Sequence, residues 1–263
     1  MCMFRYLYLC VAFLCALSAK AQEEPAHELY GTSAWKSCYV NPFSQYGDKH
    51  IPYGYPIKWE NYAMPLSSFS RISSRFGFRS RFQRMHYGVD FATPIGTKVL
   101  STDIGMVRHV GWEPSGYGLY IIIRHGNGVE TIYAHLSRVF VKRGDSVQCA
   151  EVIALSGNTG ASTGPHLHYE IRFLGIPINP ELLVNFPEQK LLHNVLVFTK
   201  DFYKSYNKRS VMKGEKLVTV RSPIDGTIAD VTKALDLPLE LICQLNGVTA
   251  DMPVKKGRIL RTL

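Results

Sequence analysis

The chain has no cysteine framework. Of its 6 cysteines, Cys2, Cys10 and Cys15 crowd the N-terminus, and Cys38, Cys149 and Cys243 are left odd in number and far apart. That pattern excludes a disulfide-stapled scaffold and a C-x-x-C zinc site. Cys149, in "VQCAEVIAL", reads as a small buried hydrophobe. A Cys38–Cys149 bridge is compatible with an oxidising compartment, but nothing in the spacing requires it. No cysteine sits in a recognisable nucleophile motif. Beyond the first residues no apolar run is long enough to span a bilayer. Acid is the scarcer charge, with 21 Asp and Glu against 30 Lys and Arg, a formal charge of +9. An anionic partner is favoured, yet no aromatic-interleaved basic motif or nucleic-acid module is present.

What is present describes an ordinary globular protein. Its 263 residues, 46% hydrophobic and 19% charged, suffice for one sizeable domain and a small companion. Arg5, the apolar run Tyr6–Leu17 and Ala19-Lys20-Ala21 before Gln22 read as a secretory signal peptide over residues 1–21, with an h-region too short to span. Export turns the anionic partner from nucleic acid to a cell-wall polymer rich in stem-peptide carboxylates.

Residues 22–67 are rich in Tyr, Pro, Gly and Asn without sustained periodicity and read as an extended N-terminal arm. Residues 68–185 alternate short apolar runs with glycine turns, and Asn127-Gly128 between two such runs is a hairpin signal. No long amphipathic helix interrupts them, so the expectation is an all-β, mostly antiparallel domain. A connector of mixed character, 186–214, leads to residues 215–263. There a strand-like "KLVTVRS", a helix-like "TIADVTKALD", a second helix opening at Pro238 and a closing "KGRILRTL" predict a small β-α-α-β module.

The chemistry concentrates in "TGPHLHYE", residues 163–170. On a strand His166, His168 and Glu170 share one face, while Leu167, Tyr169 and Ile171 face a core. Two imidazoles about 6.5–7 Å apart can bind one metal jointly, or one can bind it while the other reaches substrate. Upstream, "HYGVDF" sets His86 and Asp90 an even number of residues apart, with Gly88 leaving room for close approach, and "IYAHL" sets His135 beside Thr131 and Tyr133. Several imidazoles and one carboxylate suit Zn²⁺ better than Mg²⁺ or Ca²⁺, which prefer oxygen. Glu170 reads equally as a support for a ligand and as a solvated ion-pair partner. The run Arg71, Arg75, Arg79, Arg81 and Arg84 reads equally as a groove lining that attracts carboxylates and as a solvated loop. His27, His50, His109, His125 and His193 lie outside these motifs.

"SSRFGFR" (73–79), "HYGVDF" (86–91), "YAHLS" (133–137) and "GNTGASTGPHLHYE" (157–170) together resemble the lysostaphin/LytM-type zinc endopeptidases that cut peptide bonds in peptidoglycan. The resemblance covers roughly residues 68–182. It implies that His86, Asp90 and His168 bind one Zn²⁺ per chain and that His135 and His166 are the catalytic pair. Three protein ligands leave the fourth tetrahedral position for water, as a catalytic zinc requires. Asn41, in "YVNPF", is a candidate cap on the zinc from the arm; a simple spacer is the plainer reading of that arm.

The C-terminal stretch resembles a LysM domain, through Thr227-Ile228, Val231, Leu237, Leu239, Leu245, Asn246, Gly257 and Ile259-Leu260, and departs from it in opening with Asp225-Gly226-Thr227. That resemblance implies glycan binding; a packing module that shares only the fold is the rival. The combined expectation is an exported peptidoglycan endopeptidase, periplasmic or wall-associated, tethered to glycan strands. The alternative is a non-catalytic or latent wall-binding scaffold that activates other hydrolases.

Overall fold

The computed structural model describes residues 26, 28–30, 37–43, 55–198, 219–235, 237, 239, 242–243 and 248–261. The expected signal peptide and much of the connector lie outside them.

The centre of the molecule is a ten-stranded antiparallel sheet: β1 (Arg71–Ser74), β2 (Val89–Ala92), β3 (Lys98–Leu100), β4 (Gly105–Glu113), β5 (Gly118–His125), β6 (Val129–Val139), β7 (Ser146–Val147), β8 (Val152–Ser156), β9 (His166–Phe173) and β10 (Ile176–Ile178). The main order is β7-β4-β5-β6-β9-β2-β1; β8 bridges β3 and β6, and β10 pairs with β9. The all-β expectation holds: residues 68–185 contain no α-helix, only 3-10 turns at Ser80–Phe82 and Pro180–Leu182. Asn127-Gly128 turns β5 into β6, and Gly128 has φ +81°, a left-handed conformation that glycine adopts without steric cost.

One face is apolar. Phe91, Ile121, Ile123, Tyr133, Leu167, Tyr169, Ile171 and Phe173 alternate along β2, β5, β6 and β9 and are fully buried. Most of the other face is covered too, and along β9 only His166 is not buried; here the chain departs from the simple apolar-in, polar-out alternation. Charged groups tolerate that burial because they meet one another. Glu130 accepts from Arg108 Nε at 2.5 Å and from Arg124 Nε at 2.9 Å, with all three side chains out of solvent. Arg108 also donates to the carbonyls of Ser37 and Tyr39, and the Arg124 guanidinium lies 3.7 Å from the centre of the Tyr30 ring.

The described parts of the arm are therefore packed. Tyr30, Phe43, Ile57, Trp59 and Leu66 join the main core, and Tyr55–Lys58 pairs with Val195–Phe198 in the segment read as connector. Strands of four residues carry too little periodicity to be legible in sequence. Asn41 does not approach the histidines: its Oδ1 accepts from Phe43 N, and its side chain packs on Gly175 at the β9–β10 turn.

At the C-terminus Thr219–Arg221 pairs with Ile259–Arg261, and helix α1 (Ile228–Ala234) lies between them. Thr227 and Asp230 close a reciprocal capping box at its start. Ile228, Val231, Leu237, Ile242, Val254 and Leu260 form a small separate core. The second expected helix falls partly outside the described residues; Leu239, Ile242 and Cys243 are helical.

Candidate metal centre

Three elements converge at the sheet's groove face. His168 on β9 stands directly opposite Asp90 on β2, which puts imidazole and carboxylate side by side. His86 does not share Asp90's strand, as the even spacing implied. It ends a separate hairpin, Gly77–Arg79 with Arg84–His86, and strand structure is interrupted at Tyr87-Gly88 before β2 begins. Gly88 is required there because a Cβ would lie 2.3 Å from the Tyr169 carbonyl oxygen. The close approach foreseen at this glycine is real, but the approaching group is β9's backbone.

The result is a buried cluster, His86, Asp90 and His168, with one ligand atom from each all within 4.8 Å of one another. His86 Nε2 is 3.0 Å from Asp90 Oδ1 and 3.0 Å from His168 Nδ1, which is itself 2.7 Å from Asp90 Oδ1. The outer nitrogens settle the tautomers. His86 Nδ1 faces the Arg75 carbonyl at 2.7 Å and His168 Nε2 faces Glu170 Oε1 at 2.8 Å, and both partners only accept. Each neutral ring spends its N–H outward, so two nitrogen lone pairs and a carboxylate oxygen meet with no hydrogen between them. Only a cation or an added proton reconciles three such acceptors, and two imidazoles with one carboxylate are a zinc-type donor set.

Proton affinities follow the same geometry. Burial opposes a charge on His168, but its hydrogen bonds to Asp90 and Glu170 outweigh it and push the pKa up to about 9. A proton there stands where a metal ion would stand. Burial lowers His86. Burial also works against the Asp90 carboxylate, yet His168 and His86 hold it well below the usual carboxylate range. Its second oxygen accepts from Arg79 Nη2 at 2.6 Å.

Glu170 supports His168; it is not solvated. It is buried, binds His168 and Tyr117 OH (2.7 Å) through Oε1 and Arg172 Nε (2.5 Å) through Oε2. Despite burial, Arg172 and His168 bring its pKa down to about 2. We expect Glu170→Gln to weaken metal affinity about 10- to 100-fold, measured by competition against a chromophoric chelator; an unchanged affinity would show that its charge does not support His168.

His135 reaches this face by a backbone irregularity. Along β6, Tyr133 belongs to the apolar face, paired with Tyr169, so strict alternation would bury His135 there too. The β5–β6 register instead slips between Leu119 and Ile121, and His135 takes φ +60°. The slip turns its ring toward His166 (centroids 4.5 Å apart) and His168 (5.9 Å). Non-glycine residues in the left-handed region cost about 1–3 kcal/mol and cluster at functional sites. Both rings are held by carbonyls: His135 Nδ1 on Thr159 O and His166 Nδ1 on Gly164 O, each at 2.7 Å. Nε2 is thus the free lone pair of each, and His166 Nε2 sits 3.8 Å from Asp90 Oδ1. Burial, with His166 and His168 adding to it, draws the His135 pKa down to about 4.

All five residues singled out in the sequence thus line one open groove of about 970 Å³. Residues 84–180, which contain all five, match peptidase family M23. The domain belongs to family M23. The DD-carboxypeptidase/endopeptidase Mpg of Neisseria meningitidis is 48% identical over 116 residues, 43% of this chain and 26% of that protein. The peptidoglycan DD-endopeptidase ShyA of Vibrio cholerae is 40% identical over 148 residues, 54% of this chain and 34% of that protein. The crystallised catalytic domain of lysostaphin from Staphylococcus simulans is 34% identical, covering 43% of this chain and 90% of that one, with a TM-score of 0.40. The chain spans about a quarter to a third of the length of these curated relatives.

Tyr117 and Arg172 were not legible as parts of the site, and Arg79 was legible only as one of a run of arginines. Tyr117 supplies its hydroxyl to Glu170 and its carbonyl to His135 N, and Arg172 and Arg79 orient carboxylates; no spacing rule marks Tyr117 or Arg172. Of the histidines set aside, His125 is buried and bonded to Ile104 O and Thr131, His109 is half-buried, His193 is exposed, and His27 and His50 lie outside the described residues. Cys38, Cys149 and Cys243 are free, so the Cys38–Cys149 bridge does not form; Cys149 is half-buried, with Sγ 3.6 Å from Thr102 O.

Proposed function

We propose that the chain is an exported, zinc-dependent endopeptidase that hydrolyses peptide bonds in peptidoglycan stems or crosslinks, with its LysM-like module on glycan. The observation that carries the reading is the trio of facing acceptor atoms on His86, Asp90 and His168, which one metal cation at its centre would satisfy. The M23 family and the peptidoglycan DD-endopeptidase name of its relative ShyA support the substrate. No helix among the described residues is long and apolar enough to cross a membrane.

In this reading His86 Nε2, His168 Nδ1 and Asp90 Oδ1 hold the zinc. Bound zinc would polarise the scissile carbonyl and bring the pKa of water from about 15.7 to about 7. His135 and His166 do the proton work. With Nδ1–H fixed on a backbone carbonyl, each presents Nε2 as an acceptor in the groove. His135 is neutral at pH 7, so it can take a proton from the attacking water; the proton ends on the amine nitrogen as the C–N bond breaks. The Thr159 and Gly164 carbonyls keep the rings from turning.

The direct test is digestion of purified peptidoglycan by the purified mature chain, before and after chelation, with mass analysis of released fragments. New amine and carboxyl termini within the peptides, lost on chelation and restored by zinc, are expected; glycan fragments with intact peptides, or no release at all, would overturn the reading. The bond proposed is the D-alanyl–diaminopimelate crosslink.

A further inference from the structure

The five arginines at 71–84 separate into two groups. Arg79 is committed to Asp90, and Arg75 to Glu181. Arg71, Arg81 and Arg84 line the groove and are exposed, and among the described residues no carboxylate pairs with them. Arg81 and Arg84 flank the exposed Phe82 ring at 5.7 and 5.8 Å, which holds both guanidinium groups at the same rim.

Register places Arg71 relative to the chemistry. It pairs with Ala92, and Ala92 pairs with His166, so the three share a row and a face across neighbouring strands. Two strand spacings of about 4.8 Å set Arg71 about 10 Å from His166. On the far side of the site, beyond His135, the groove is lined by Glu113, whose carboxylate accepts from Tyr117 N at 3.2 Å. Arg71 thus stands at the β1 end, the His86–Asp90–His168 cluster at the centre and Glu113 at the β4 end, while Arg81 and Arg84 line the groove from the separate hairpin.

We infer that this groove reads the charge of its substrate: Arg71, backed by Arg81 and Arg84, binds a free peptide carboxylate within about 10 Å of the scissile bond. This deepens the peptidase reading and rests on it. The substrate class is a crosslinked peptide whose diaminopimelate carboxylates are free, and an amidated crosslink is a poor substrate. Arg presents two parallel donors to a carboxylate, whereas an amide offers one acceptor and no charge. The Glu113 end faces the cationic part of the same peptide, which sets its direction along the groove.

The test uses the full mature chain loaded with zinc and two crosslinked muropeptide dimers, identical except that one is amidated at its diaminopimelate carboxylates. Cleavage rate and equilibrium binding are both measured, for wild type, Arg71→Gln and Arg81→Gln/Arg84→Gln, with thermal melts to confirm folding. Wild type is expected to prefer the free-acid dimer about tenfold in kcat/KM. Arg71→Gln is expected to bring that ratio close to one, the double variant to narrow it less. Equal cleavage of both dimers by wild type, or undiminished preference in folded Arg71→Gln, overturns the inference and leaves the peptidase reading standing. Preferential binding of the free-acid dimer without cleavage does the reverse.

Discussion

His168→Ala is expected to lose bound zinc and peptidoglycan cleavage together, while His166→Ala and His135→Ala lose cleavage and keep zinc. His168 Nδ1 stands 2.7 Å from Asp90 Oδ1 and 3.0 Å from His86 Nε2, so truncation removes one of the three converging donors. The remaining pair is below the ligand count of catalytic zinc sites, and zinc in the purified protein should fall from about one per chain to background. Cleavage should fall beyond detection, because the electrophile and the source of the nucleophile go with the metal. His166 contacts the Gly164 carbonyl and Ser162, and His135 the Thr159 carbonyl. Losing either acceptor is expected to cost about 10²- to 10⁴-fold, the usual worth of general acid–base catalysis. Elemental analysis and wall digestion on the same preparations check both halves. Zinc retained by His168→Ala, or lost equally from all three variants, would refute the division of roles.

The second large effect concerns stability. Glu130→Ala should cost about 3–5 kcal/mol, a sizeable part of the 5–15 kcal/mol by which domains of this kind are stable. Glu130 is fully buried between Arg108 and Arg124, also fully buried, and its carboxylate stays ionised: burial opposes the charge, but the two guanidinium groups outweigh it. Removing it leaves two cations in a dry layer. Glu130→Gln keeps an acceptor and should cost less. Replacing Arg108, Arg124 and Glu130 together by apolar residues of like volume should cost least, since the pairing offsets a desolvation penalty that the apolar triple never incurs. Urea midpoints at constant slope measure this. Because Arg108 holds the carbonyls of Ser37 and Tyr39 and Arg124 lies on Tyr30, Glu130→Ala should also speed proteolysis of the N-terminal segment. A Glu130→Ala chain as stable as wild type would mean that the ion triad contributes nothing to the back of the sheet.

Much of this was readable from residues. Alternation along Leu167-His168-Tyr169-Glu170-Ile171 assigns one face to the core and one to chemistry because side chains on any strand alternate, whatever the strand packs against. Asn127-Gly128 marks a hairpin because glycine alone enters the left-handed region without cost. Ordered motifs carrying His86, Asp90, His135, His166 and His168 narrow the chemistry to a metal site because few donor sets of that kind have another use.

Tertiary structure decided what depends on neighbours distant in sequence. His86 and Asp90 meet across a strand interruption at Tyr87-Gly88, where only glycine fits because a Cβ would lie 2.3 Å from the Tyr169 carbonyl oxygen. Glu170 is a buried support because Tyr117 and Arg172 close over it, fifty-three residues before it and two after. Five similar arginines divide between structure and groove according to which carboxylate each can reach. His135 is the sharpest case: its parity along β6 assigns it to the apolar core, and only a register slip against β5 turns it toward His166 and His168. A strand's own sequence sets its alternation, but the partner strand sets where that alternation is interrupted, and a bulge is a property of the pair.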